Sequence, residues 1–331
     1  MTDTDTSRLS GDTSFRSRLY GLDIVSAINL YSRRSASMTN TDVWVTLREP
    51  APVSGDVPAG ELQVQWSTPD GLRASFVRTA TGDHLLRFQS TCEVVIDASA
   101  TRISLRMAEG VPVAMGSVLI AGTVLSYLLM LRDAPVLHAS AVQIDGRAIA
   151  FVGSSGMGKT TLATLLCRAG GNLITDDVLR LGRADDGAYG CYLGATELRL
   201  REAAAGLASD FGDSGSHRTT ADARRALSVP IASQERSPLA ALIVPRPRRD
   251  LDAIELTRLQ PRDAAIGLLS FPRILGICAP VLLSRAFVQT TDIAEAVPMF
   301  VADVPWGPPF AEDLPKRLLD RIDEAVAAHS P

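Results

Sequence analysis

The sequence predicts an α/β fold, a phosphate-loop core preceded by a β-rich N-terminal domain. Three observations carry that reading. Short apolar segments recur between residues 20 and 97, broken by Gly, Pro and Asp, which is the rhythm of a strand-rich region. From Pro135 the pattern changes to a strand pair, a glycine loop, a helix and another strand, the alternation of an α/β unit. The octamer GSSGMGKT, residues 153–160, fits G-x-x-x-x-G-K-[ST] at every fixed position.

The elements follow in order. Residues 1–17 are polar, have no basic segment leading into an apolar one, and are expected to be a disordered tail. The domain spanning 18–132 opens with a strand in YGLDIVSAINL. It continues through DVWVTL, ELQVQWS, ASFVRT, LLRFQ and EVVIDA. It ends in an uncharged stretch, residues 111–131, long enough to span a membrane. Pro112, Gly116, Ser117, Gly122, Thr123 and Ser126 dilute that stretch, and no polybasic flank accompanies it. A buried helix or strand–helix connection is therefore expected, in a cytoplasmic protein with no membrane partner.

The core domain is expected over 133–331. RAIAFV is the strand entering the glycine loop and TTLATLLCRAGG the helix leaving it, with Leu162, Leu165, Leu166 and Ala169 on one buried face. Gly170 and Gly171 stop the helix. NLITDD reads as the next strand, and LAALIV as a later one followed by a basic loop, PRPRR, at 245–249. Residues 207–225, polar and rich in Gly, Ser and Asp, read as a surface loop with the option of acting as a lid. EDLPKRLLDRIDEAVAAH is an amphipathic terminal helix.

Composition narrows the function classes. A 46% hydrophobic share and a formal net charge of -4 describe an ordinary globular chain without the cationic excess of a nucleic-acid binder. Cys92, Cys167, Cys191 and Cys278 are scattered, with no metal spacing, and read as reduced thiols.

The glycine loop carries the chemistry. In such a loop the backbone N–H groups of Gly153, Ser154, Ser155, Gly156, Met157 and Gly158 turn onto phosphate oxygens at a positive helix N-terminus, where Thr161 follows. Lys159 adds charge for the β- and γ-phosphates, and the Thr160 hydroxyl suits Mg²⁺. Upstream, Asp145-Gly146 is a two-residue hairpin turn. Pairing Ile144 with Arg147 makes partner numbers sum to about 291 and sets His138 opposite Gly153. Downstream, Asp176 and Asp177 end a strand at the ligand-binding edge of the sheet. One carboxylate suits Mg²⁺ and the other suits accepting a proton from an attacking hydroxyl; the sequence leaves their order open. No later apolar strand ending in Asp is visible, and no switch or guanine-specificity motif, so a motor or GTPase switch fits poorly.

His138 before a hairpin, GSSGMGKT and LITDD together resemble the C-terminal domain of HPr kinase/phosphorylase, over residues 135–180. That resemblance implies a P-loop fold related to phosphoenolpyruvate carboxykinase, with ATP and Mg²⁺ as cofactors. It implies that Lys159 and the loop bind ATP phosphates, that Asp176 or Asp177 activates an acceptor serine, and that His138 sits beside them. ATELRL resembles the family's Glu-x-Arg segment, which makes Glu197 a carboxylate on the Mg²⁺ side, with Asp177 and Thr160, and Arg199 a phosphate contact. HPr kinases form hexamers, so a homo-oligomer is implied. The glycine-rich signature that follows Glu-x-Arg in that family is absent from ELRLREAAAG. YGLDIVSAINL with LHASAV resembles instead the HPr-kinase-like proteins of peptide natural-product clusters, the lasso-peptide kinases among them. The expectation is a kinase for a serine of a precursor peptide or small carrier. Kinases of sugar, nucleoside or antibiotic hydroxyls, and a non-catalytic nucleotide sensor, are the alternatives.

Overall fold

The computed structural model describes residues 14–32, 40–67, 73–200, 217–221 and 223–328. The first sheet has eight strands: β1 (Phe15–Leu19), β2 (Leu22–Ser26), β3 (Val43–Arg48), β4 (Glu61–Ser67), β5 (Arg73–Arg78), β6 (His84–Phe88), β7 (Cys92–Ile96) and β8 (Arg102–Met107). Their spatial order is β1-β2-β3-β8-β7-β6-β5-β4. The expected opening strand is in fact a hairpin. β1 and β2 turn at Tyr20-Gly21, both at positive φ, which is the geometry of a tight two-residue hairpin. β1 starts inside the segment assigned to the tail, whose residues 1–13 lie outside the described ones.

The uncharged stretch is one helix, Val113–Leu131, with 56% of its most apolar window buried. It packs Ile120, Val124, Leu125, Tyr127 and Leu128 into the core of the first sheet. Tyr127 stands edge-on to Phe76, and its hydroxyl is 2.9 Å from His84 Nδ1. The middle, Ile120–Val124, is π-helical. A π-turn shifts the backbone ladder and leaves a carbonyl for an outside donor. The Tyr20 hydroxyl donates to Ala121 O at 2.9 Å.

The second sheet is built from β9 (Val136–Leu137), β10 (Ala139–Ile144), β11 (Arg147–Val152), β12 (Asn172–Thr175), β13 (Leu179–Arg183) and β14 (Tyr189–Tyr192). A small separate sheet holds β15 (Glu197–Leu200), β16 (His217–Thr219) and β17 (Arg225–Ser228). β18 (Arg236–Arg248), β19 (Glu255–Arg258) and β20 (Met299–Pro305) complete the second sheet. Of the expected surface loop at 207–225, residues 207–216 and 222 lie outside the described ones.

β11, β18 and β20 run parallel, and their side chains alternate between two cores. Ala148, Ala150, Leu242 and Met299 face one core, bounded by helices Pro261–Ser270 and Pro280–Ala296. Ile149, Phe151, Ile243 and Phe300 face the other, bounded by Lys159–Arg168 and Leu314–Ala327. This is a three-layer α/β arrangement in which both faces of the central strands are covered. The predicted terminal helix is present, whereas the helices of the 261–296 region were not foreseen.

Three local expectations change. Leu162, Leu165 and Leu166 are buried, but Ala169 is exposed because the helix ends at Arg168. Gly170 N–H then bonds Cys167 O and Gly171 N–H bonds Leu166 O, a Schellman closure with Gly170 at φ 99°. The basic run 245–249 is not a loop up to Arg248, since β18 continues through it. Beyond Ile243 that strand has, among the described residues, only β20 as a neighbour, so Pro245 and Pro247 remove no ladder hydrogen bond on the other side. Finally, β20 is a later apolar strand that carries an aspartate, Asp303, but its carboxylate pairs with Arg246 and Arg248.

Candidate active site

The hairpin places the first component. β10 and β11 pair Ile144 with Arg147 through Ala139 with Val152, so the expected register holds up to the residues next to His138 and Gly153, while His138 itself sits in a bend between β9 and β10. β12 pairs with β10 rather than with β11, so β10 lies between the two strands of the βαβ unit. The C-terminal ends of β11 and β12 nevertheless share one edge with His138. There the sheet gathers the loop, the histidine and the two aspartates.

The loop has the expected backbone. Gly153, Gly156 and Gly158 have φ of 150°, 92° and 89°, conformations that a side chain resists. The Ser154 N–H lies 3.0 Å from Met157 Sδ. Lys159 is buried, and its ammonium donates to Gly153 O at 2.7 Å and Ser154 O at 3.0 Å, fixing the charge over the loop. Ser155 and Thr161 lie in the same turn and at the start of the helix that follows.

The structure separates the two aspartates. Asp176 is 3% exposed and faces the loop. Its Oδ1 accepts from Thr160 Oγ1 at 3.0 Å and Ser140 Oγ at 2.6 Å, and its Oδ2 from the Arg199 backbone N–H at 3.0 Å. Asp177 adopts φ 77° and turns the other way. Its Oδ1 is 3.3 Å from His138 Nε2. Its Oδ2 accepts from Arg199 Nη2 at 2.9 Å and Arg273 Nη2 at 3.0 Å. Burial pushes the Asp177 carboxyl up, but Arg273, the His138 contact and Arg199 outweigh it and hold it well below the usual carboxylate range.

Glu197 and Arg199 alternate with the buried Leu198 and Leu200 along β15, so both project from the face that Arg199 turns to Asp177. Arg199 therefore reaches the site through a carboxylate. Arg273 is the component that sequence reasoning missed. It lies 96 residues from Asp177 in a segment without a motif, and only the fold brings it there.

Oxygen donors of this kind suit Mg²⁺, which binds one or two carboxylates and completes its shell with substrate phosphates and water. The Thr160 hydroxyl and the buried Asp176 carboxylate, 3.0 Å apart at the loop, provide that pair. Among the described residues no group of three or more His, Cys, Asp or Glu converges. The glycine cradle and Lys159 fit a nucleotide's phosphates. The three buried thiols sit elsewhere in the cores, with Cys92 and Cys167 pushed up to about 12 by burial, and take no part.

No protein-family model matches this chain, and no curated protein matches it. Among solved structures it is similar to the Hpr(Ser) kinase/phosphatase from Coxiella burnetii, at 14% identity and a TM-score of 0.30. That similarity covers 58% of this chain and 95% of the other.

Proposed function

We propose that this chain is an ATP- and Mg²⁺-dependent phosphotransferase that moves the γ-phosphoryl group to a hydroxyl, with a serine of a peptide or small carrier protein as acceptor. The observation that carries the reading is the division of the two aspartates. Asp176 is tied to the loop threonine, while Asp177 is set aside with His138 at the same edge.

On this reading the two aspartates have separate roles. Thr160 and Asp176 would hold Mg²⁺, which when bound neutralises phosphate charge. Lys159 and the loop N–H groups bind the β- and γ-phosphates and orient the terminal one. The acceptor hydroxyl docks against Asp177 and His138. As the new O–P bond forms and the bond to the β-phosphate oxygen breaks, the hydroxyl proton passes to Asp177 and the electron pair leaves with ADP. Arg199 and Arg273 keep the carboxylate ionised and aimed, so it is ready for the proton at any physiological pH. A base held so low in pKa contributes through position more than strength, which suits a loose transition state.

A peptide acceptor is supported by the first sheet. Among the described residues β1 pairs with β2 alone, leaving an edge that an extended peptide can join. Incubation with ATP, Mg²⁺ and a panel of serine peptides and small alcohols, read by mass spectrometry, tests this. Phosphoserine product is expected. Phosphorylation of small alcohols alone would move the acceptor class, and no product from any acceptor would overturn the reading. Asp177→Asn should lower kcat about 10²-fold or more while ATP still binds. Asp176→Asn should instead raise the Mg²⁺ concentration needed for half-maximal rate.

A further inference from the structure

The geometry points to a nucleoside-base platform at Trp306, a subsite of the phosphate loop that takes the base of a nucleoside triphosphate by stacking; it rests on the nucleotide reading above. β20 runs parallel to β11 and β18, so its C-terminal end emerges at the same sheet edge as the loop, where ligands of such sheets bind. Trp306 is the first residue past that end. Its indole lies against Gly158: a Cβ there would stand 2.9 Å from Cζ2 and 3.1 Å from Cζ3. The ring is therefore in contact with the residue that caps the loop helix, next to Lys159.

Two features give the ring a fixed orientation. Phe310 meets it edge-on, with centroids 5.2 Å apart and planes at 86°. The Trp306 backbone N–H bonds Arg248 O at 2.8 Å, anchoring the residue to β18. The residue is half-buried, packed in part against the core under the loop helix and in part exposed. A braced aromatic that is partly exposed and touches the loop is what a base needs beside its phosphates. Stacking reads the π-face, which every base offers, so the platform adds affinity without choosing strongly among bases. Nothing else in the proposed reaction uses this ring.

The test compares ATP with inorganic tripolyphosphate, which offers the loop the same phosphates and no base. Affinities are measured by calorimetry on wild type, Trp306→Ala and Trp306→Phe, each checked for folding by thermal unfolding. Trp306→Ala is expected to weaken ATP about tenfold or more and to leave tripolyphosphate unchanged, with GTP losing a similar factor. Trp306→Phe is expected to recover most of the ATP affinity. Equal weakening of ATP and tripolyphosphate would mean the ring only buttresses Gly158, and would overturn the platform. So would an unchanged ATP affinity in Trp306→Ala. Failure of wild type to bind either compound would overturn the nucleotide reading itself.

Discussion

Asp177 takes two guanidinium groups on one oxygen and a histidine on the other, and its side chain is only about one-fifth exposed. Its folded pKa lies below the unfolded value of about 4, so these contacts add stability above about pH 4. That contribution is lost as pH falls from there through the folded value. Asp177→Asn lacks it at every pH. In denaturant titrations at pH 7 and pH 3 the wild type should lose more stability than the variant, so the gap between them narrows in acid. A gap independent of pH would show that the ion pairs contribute nothing. A second residue-scale case is Gly158. Any side chain there meets both a φ of 89° and the Trp306 ring. Gly158→Ala should cost about 1–3 kcal/mol of stability and abolish measurable ATP binding, checked by thermal unfolding and calorimetry on the same sample.

At the scale of elements, the Schellman closure offers a control. Gly170 sits at φ 99° with open space where a Cβ would go, so Gly170→Ala should cost only the left-handed strain, about 1 kcal/mol, and leave turnover unchanged. A large loss of turnover would mean that the end of this helix is coupled to the site. Elements with local chemistry were the ones legible in the sequence. The Asp145-Gly146 turn set a register that holds as far as Ala139 and Val152, the neighbours of His138 and Gly153, and the glycine loop announced its own backbone. The helices of the 261–296 region were not legible, because Ile266, Val281, Phe287 and Val288 are exposed and blur the apolar period. β18 was half legible: its prolines signal a loop unless it is known that the strand has lost one neighbour there. Which aspartate faces Thr160 was also not legible. It depends on the backbone turning to φ 77° at Asp177, and two adjacent carboxylates look alike in sequence.

Across the whole molecule the two sheets meet at the site rather than beside it. Tyr20, on the β1–β2 turn, gives its N–H to Leu193 O at 2.7 Å and accepts Arg180 Nη1 on its carbonyl at 2.5 Å. Burial pushes its hydroxyl well above the ordinary range, so it remains a donor to the π-helical Ala121 carbonyl. The segment bearing Arg273 is likewise fastened to the first sheet. Gln65 N–H bonds Gly276 O at 2.9 Å, Cys278 N–H bonds Gln63 O at 2.9 Å, and Val64 bridges Ile277. Gly276 has φ 72° and its Cα faces the Gln65 carbonyl so closely that a Cβ would overlap it. Gly276→Ala must therefore push this segment off β4. The loop glycines, Lys159, Thr160 and Asp176 belong to the second sheet and its helix, and should not notice. The expected result is a fall in kcat of about tenfold with the Kd for ATP unchanged, because Asp177 loses one of its two arginines while the phosphate cradle stays intact. Arg273→Lys, which keeps the charge but not the planar fork, should fall in the same direction and add little to Gly276→Ala when combined. Additive losses would mean that the first sheet acts on the site by some route other than Arg273.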